Sequence, residues 1–127
     1  MKYLKTFESK LRNNVDYTGL DLICFIRDGE TEKALKLIDI GIDVNYNLEN
    51  GITPLMTAIM FDNYIIFEKL IDNDADWYIK DDEGEDFIDY FNYYNSDYKD
   101  KYYNLIKSYK DKYEEYLIKK QTEKFNI

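Results

Sequence analysis

A shift of 33 residues brings the middle of this sequence into register with itself. Leu22 falls on Leu55, Phe25 on Ala58, Gly29 on Asp62, Leu37 on Leu70 and Ile38 on Ile71. The register continues with Asp39 on Asp72, Gly41 on Asp74, Asp43 on Asp76, and Asn50-Gly51 on Glu83-Gly84. A fixed period of this length excludes most folds, because each copy is a supersecondary unit too small to bury its own apolar face. Units of that kind are stable when stacked, each covering its neighbour.

Each copy reads as helix, turn, helix and extended loop. Thr18-Gly19-Leu20-Asp21 has the form of a capping box and starts a helix that runs to Arg27. Asp28-Gly29 breaks it. Thr31 caps a second helix in which Ala34, Leu35, Leu37 and Ile38 form the buried stripe, and Gly41 ends it. Ile42-Asp43-Val44-Asn45 then alternates in an extended turn.

The second copy is the best formed. It contains Gly51-Ile52-Thr53-Pro54-Leu55-Met56-Thr57-Ala58-Ile59 and, a turn later, Asp74-Ala75-Asp76. These match Gly-x-Thr-Pro-Leu-His-x-Ala-Ala and Gly-Ala-Asp, so the chain resembles the ankyrin-repeat family over residues 17–95, best over 50–80. The resemblance implies an all-α fold, a short ankyrin-like helix-turn-helix repeat stack. The motif also has a physical logic. Thr53 is placed to bond backbone groups at the helix start, and Pro54 suits the first turn, where its missing N–H costs nothing. Ala58 lets the two helices of the unit approach closely, while Leu55, Leu70 and Ile71 supply apolar faces for neighbours to cover. Two departures stand out. Met56 replaces a His that ties neighbouring loops together, and Asp74 replaces a Gly in left-handed geometry. The third copy opens at Asp82-Glu83-Gly84 and continues Glu85-Asp86-Phe87-Ile88 without Thr-Pro-Leu, as a diverged terminal unit does.

The flanks complete a single domain over residues 1–127. Leu4, Phe7 and Leu11 share one face of an N-terminal helix over residues 1–14. Over residues 97–124, Tyr102, Ile106, Tyr109, Tyr113 and Tyr116 recur at alternating spacings of four and three, with Leu105 and Leu117 beside them. That pattern predicts one long helix with an aromatic stripe, carrying exposed pairs of Asp97 with Lys101 and Glu115 with Lys119. The helix reads as a C-terminal cap on the open end of the stack. A Tyr-rich stripe is also a seam for a second copy, so the chain is expected as a monomer or as a homodimer through this helix.

Charge and composition narrow the function. The net charge is −9, and residues 72–100 hold eleven acids against Lys80 and Lys99. Phosphates are repelled by such a chain, so direct nucleic-acid binding and anionic membranes are not expected. No apolar run reaches the roughly 20 residues that span a bilayer, and the N-terminus has no apolar signal segment. There is no His, which removes Ser-His-Asp and Cys-His catalysis. Cys24, the only cysteine, leaves no internal disulfide or Cys-based zinc cluster; among apolar neighbours it reads as a core residue, and the expected setting is a reducing cytoplasm. The chain has no Gly-rich phosphate loop with its Lys, so neither an enzyme nor a cofactor is expected.

One local match tempts otherwise. Asp72, Asp74, Asp76 and Glu83 stand at positions 1, 3, 5 and 12 of a calcium-binding loop. The position that needs Gly for the sharp turn is Trp77, and Lys80 would set a cation against the ion. The repeat register explains the same residues without a metal, and no metal is expected.

What is left is surface. In ankyrin-like stacks partners sit in the groove made by the loop tips and the ends of the first helices. By motif position that groove holds Glu49, Asn50 and Ile52, then Met60 and Phe61, and from the next unit Asp82, Glu83, Glu85, Tyr93 and Tyr94. Met and aromatic side chains beside acids make a protein-binding patch. The resulting expectation is a non-enzymatic interaction module, an inhibitor or adaptor, that binds another protein with a basic surface. Two alternatives remain open. One is an acidic mimic of nucleic acid, encoded by a virus or mobile element, that blocks a DNA- or RNA-binding protein; the Asn, Ile, Lys and Tyr content suits an AT-rich genome. The other is a self-associating structural protein.

Overall fold

The 33-residue period belongs to the backbone as much as to the sequence. The computed structural model describes residues 7–9, 16–94 and 99–125. Those residues form helices and turns without a strand. The chain divides into two units, Met1–Tyr94 and Asn95–Ile127.

In the first unit, α1 (Gly19–Arg27) and α2 (Thr31–Asp39) form one helical pair, and α3 (Pro54–Met60) and α4 (Tyr64–Asp72) form the next. α5 (Phe87–Tyr93) opens a third. Both ends of α4 lie one period beyond those of α2, and both ends of α5 one period beyond those of α3. The same spacing relates the residues with left-handed backbone. Gly29 (φ 74°) is followed by Asp62 (φ 51°), Gly41 (φ 90°) by Asp74 (φ 60°), and Gly51 (φ 84°) by Gly84 (φ 77°). Each marks a place where the chain must reverse after a helix or at a loop tip, so the fold repeats its turns even where the side chains have drifted.

The first helices of the units, α1, α3 and α5, lie side by side in one layer, and α2 and α4 lie side by side in a second. The buried residues follow the register: Leu22, Leu37 and Ile38 in one pair, Leu55, Leu70 and Ile71 in the next. Ala58 and Met56 are fully buried, so the residue standing at the family's His position is core here. The last interface is aromatic. Phe67, Trp77, Phe87 and Phe91 are all buried, with Trp77 5.6 Å from Phe87 and Phe67 5.9 Å from Phe87 in tilted and edge-on pairs. Rings of this size each remove about 150–250 Å² from water, which binds the short α5 to the stack.

Capping decides where the helices begin. Thr18 and Asp21 form the expected box, and Asp86 and Asp89 form another at α5, where Asp86 accepts from the amides of Ile88 and Asp89 and is itself buried. Thr53 accepts from the Met56 amide at 3.3 Å, ahead of Pro54 in the first turn. Two expectations need correction. Thr31 does not cap α2. Glu30 is the N-cap, without a side-chain bond to the helix amides, and the Thr31 hydroxyl instead accepts from the Asn63 amide group at 2.9 Å, tying one unit to the next. Cys24 is half-exposed rather than core, since Leu22, Ile23 and Ile26 take the inward face of α1.

Of the expected N-terminal helix, residues 7–9 are helical, and Leu4 and Leu11 lie outside the described residues. Phe7 is buried, 5.0 Å from the Tyr17 ring and 5.5 Å from that of Phe25. In the second unit the tyrosine spacing does give helix, but in two pieces, α6 (Lys99–Ser108) and α7 (Lys110–Phe125). The break falls at Tyr109, whose amide reaches back three residues to Ile106 while the Ser108 hydroxyl bonds the Leu105 carbonyl. A side-chain hydroxyl competing for a helix carbonyl is a known cause of such a bend. Tyr102, Ile106 and Tyr116 are buried, Leu117 is exposed, and Glu115 pairs with Lys119 at 3.5 Å. Asp97, expected to pair with Lys101, lies outside the described residues.

Candidate functional site

Two tight turns, one period apart, frame the site. In the first, the Leu48 amide bonds the Ile52 carbonyl at 3.0 Å and Gly51 closes back on Leu48 at 2.8 Å. In the second, Asp81 bonds Glu85 at 2.9 Å and Gly84 closes on Asp81 at 3.0 Å. The turns touch. The Asp82 amide donates to the Asn50 carbonyl at 2.9 Å, and a Cβ on Gly51 would lie 2.7 Å from the Asp81 Cα. Gly51 is therefore needed twice, for its positive φ and for the approach of the next turn. A further tie, from the Asp76 amide to Asn45 Oδ1 at 2.7 Å, fixes the loops behind.

Between these turns and α5 lies a groove of about 410 Å³. Ile52 and Met60 give it an apolar floor, both half-buried. Tyr90, Tyr93 and Tyr94 form its aromatic wall. The rings of Tyr90 and Tyr94 stack, 5.9 Å apart and inclined by 22°. Asp81, Asp82, Glu83 and Glu85 form an acidic rim, and among the described residues no Lys or Arg lines the groove.

Asp81 is the keystone of that rim. One oxygen accepts from the amides of Glu83 at 2.9 Å and Glu85 at 3.0 Å, the other from the Tyr90 hydroxyl at 2.6 Å. Burial works against the charge, but the Tyr90 hydroxyl and the two amides outweigh it and hold the carboxyl below its ordinary value. Tyr90 is pushed the other way, first by its own burial and then by its bond to Asp81, so it stays protonated. Tyr93 donates to the Glu85 carboxylate, which raises its pKa as well. Asp81 is thus held as a carboxylate at neutral pH, and its geometry is locked by the turn.

Of the residues expected at a partner site, Asn50, Ile52 and Met60 from the second repeat and Asp82, Glu83, Glu85, Tyr93 and Tyr94 from the third line this one groove. Glu49 is exposed at the loop tip and Phe61 is 49% exposed past the end of α3, and neither lines it. Sequence reasoning passed over Asp81 and Tyr90. Both leave a signal: Asp81 is an Asp three residues before a turn Gly, and Tyr90 precedes Tyr93 and Tyr94 by one helical turn on the same face. The calcium-like loop is accounted for differently. Asp72 ends α4, Asp76 caps the Tyr78 amide at 2.8 Å, and Trp77 is buried. Among the described residues no group of three or more acids or cysteines is arranged around a metal position. Among them, too, no helix is long and apolar enough to cross a membrane.

Residues 37–91 match the family model described as ankyrin repeats (many copies). Over those residues this chain carries ankyrin repeats. It is 36% identical over 58 residues to an ankyrin repeat-containing protein of Schizosaccharomyces pombe, a match covering 46% of this chain and 28% of that one. Its fold is similar, with a TM-score of 0.55 and 23% identity, to a chain in the solved structure of a predatory endopeptidase from Bdellovibrio bacteriovorus in complex with an immunity protein. That likeness covers 75% of this chain and 47% of the other. The ankyrin repeats here thus span less than half the length of either relative. Ankyrin repeats are a protein-interaction architecture, and the groove lies at the loop tips of this stack.

Proposed function

We propose that this chain is a non-enzymatic binding module that grips a partner protein with a basic surface, through the groove between its second and third repeats. The observation that carries the reading is the make-up of that groove: three tyrosines and an apolar floor beneath four carboxylates, without a lining cation among the described residues. Tyrosines give rigid, amphipathic contact area, and Tyr93 keeps 62% of its surface exposed although its repeat has a core to cover. The carboxylates set the sign of the partner and speed its arrival. A module that occupies its partner in this way serves as an inhibitor or adaptor, in keeping with a single cysteine and a reducing cytoplasm.

The test is affinity capture from the organism that encodes the chain, run in parallel with the wild type and with Asp82→Lys, Glu83→Lys and Glu85→Lys combined. Asp82 and Glu83 are exposed and Glu85 is half-buried at the groove rim, outside the core, so circular dichroism is expected to stay unchanged while the captured partner is lost. A partner that binds the triple variant as well as the wild type assigns recognition to another surface.

A further inference from the structure

The groove is too specific in shape and chemistry to serve only as a sticky patch. Its wall is aromatic, with Tyr93 and Tyr94 exposed and the Tyr94 ring stacked on the buried Tyr90 ring; its floor is Ile52 and Met60; its rim is acidic. A volume of about 410 Å³ falls in the range of about 300–1,000 Å³ in which small side chains and ligands are enclosed. The rim carboxylates are not equivalent. Asp81 spends three of its acceptor positions on Tyr90 and two backbone amides, and Glu85 receives the Tyr93 hydroxyl. Asp82 and Glu83 are exposed, and among the described residues neither carboxylate accepts a hydrogen bond or joins an ion pair. The occupant therefore has to offer positive charge and several N–H donors on one edge, and a flat, weakly hydrated face to the tyrosines and the floor.

Resting on the reading of the groove as a docking site, we infer that its occupant is an arginine side chain of the partner, laid against the Tyr wall with its guanidinium turned to Asp82, Glu83 and Glu85. A guanidinium meets each requirement. It is planar, carries five N–H donors in a fixed fork, stacks on aromatic rings and gives up water more readily than an ammonium. Lysine satisfies the charge but not the aromatic wall: its compact, strongly hydrated ammonium gains little from Ile52, Met60 and the tyrosine faces. The exposed rings of Tyr93 and Tyr94 add a cation–π contribution that an acidic rim alone does not provide. The geometry thus selects among basic partners and does not merely attract them.

Three peptides distinguish the cases: acetyl-Gly-Arg-Gly-amide, its Lys counterpart and its citrulline counterpart, which keeps the arginine shape without the charge. Each is titrated into the full chain while backbone amide signals are followed by NMR. The arginine peptide is expected to shift the amides of Ile52 and residues 82–85 saturably, the lysine peptide to bind about three- to tenfold more weakly, and citrulline to leave them unmoved. Tyr94→Leu, at an exposed position, lowers arginine affinity by a similar factor, and Asp82→Asn with Glu83→Gln removes the saturable shifts. Equal response to arginine and lysine, or shifts spread over the acidic surface and insensitive to Tyr94→Leu, overturns the inference. The two levels fail separately. If the triple charge reversal loses the partner but the arginine peptide leaves the groove amides unmoved, the docking site stands and the arginine assignment falls. If the partner survives the triple reversal, the groove itself is wrong.

Discussion

Asp62 and Asp74 hold backbone angles that the first repeat assigns to Gly29 and Gly41. A side chain in left-handed geometry costs free energy that glycine does not, though Asp tolerates it better than most. Asp74→Gly is therefore expected to stabilise the stack by about 0.5–1 kcal/mol, read as a higher midpoint in thermal unfolding. A lower midpoint would show that the Asp74 side chain contributes more than its backbone costs. A second residue-scale prediction concerns Tyr90 and Asp81. Against the opposing effect of burial, the Tyr90 hydroxyl and two amides lower the Asp81 pKa from its ordinary 3.8. A lowered carboxyl contributes stability that is present above the unfolded value and lost as pH falls through the folded one. Tyr90→Phe removes one of these bonds and should cost about 1–2 kcal/mol near pH 6. That difference from the wild type should shrink as urea midpoints are followed down towards pH 3. A difference that stays constant would mean that the hydroxyl acts on packing and not on the carboxylate.

At the scale of single elements, caps explain which helices start where. α5 has seven residues, too few to be stable by propensity, and its start is fixed by the buried Asp86 box. Asp86→Ala should destabilise the chain by about 1–2 kcal/mol and lower amide protection over residues 87–93 first, as measured by hydrogen exchange. Uniform loss of protection would place the cap's effect on the whole stack. The same elements show what the sequence makes legible. Thr18, Thr53, Pro54 and the glycine positions announce helix starts and reversals, because each acts through its own local backbone. Thr31 misleads for the opposite reason: its hydroxyl is drawn to Asn63, 32 residues away, and local pattern contains no trace of that bond. The break at Tyr109 is likewise hidden, since the tyrosine spacing of four and three runs unchanged across it while the Ser108 hydroxyl bends the backbone. Cys24 sits among apolar neighbours in sequence, yet helical geometry turns it away from the face that Leu22 and Ile26 fill.

Across the first unit as a whole, the architecture is one-dimensional, each repeat held by its neighbours. The groove inherits its precision from that arrangement. Its floor comes from the second repeat, its wall and rim from the third, and the link between Asn50 and Asp82 holds the two in register. This is why most of the lining was visible in the sequence: motif position places a residue in the stack, and the stack places it in the groove. Glu49 and Phe61 were assigned by the same rule but lie just beyond the lining, where one residue along a turn or a helix end changes the direction of the side chain. Asp81 was hidden because its role is to organise the rim from within the turn. Docking of a partner in this groove is tested most directly by photo-cross-linking with a benzophenone amino acid placed at Tyr94, at Ile65 on α4 or at Leu117 on α7, in extracts of the encoding organism. Tyr94 is expected to yield a cross-linked partner that excess unlabelled wild type displaces, with the other two positions silent. A partner captured from Ile65 or Leu117 and not from Tyr94 would contradict docking in the groove.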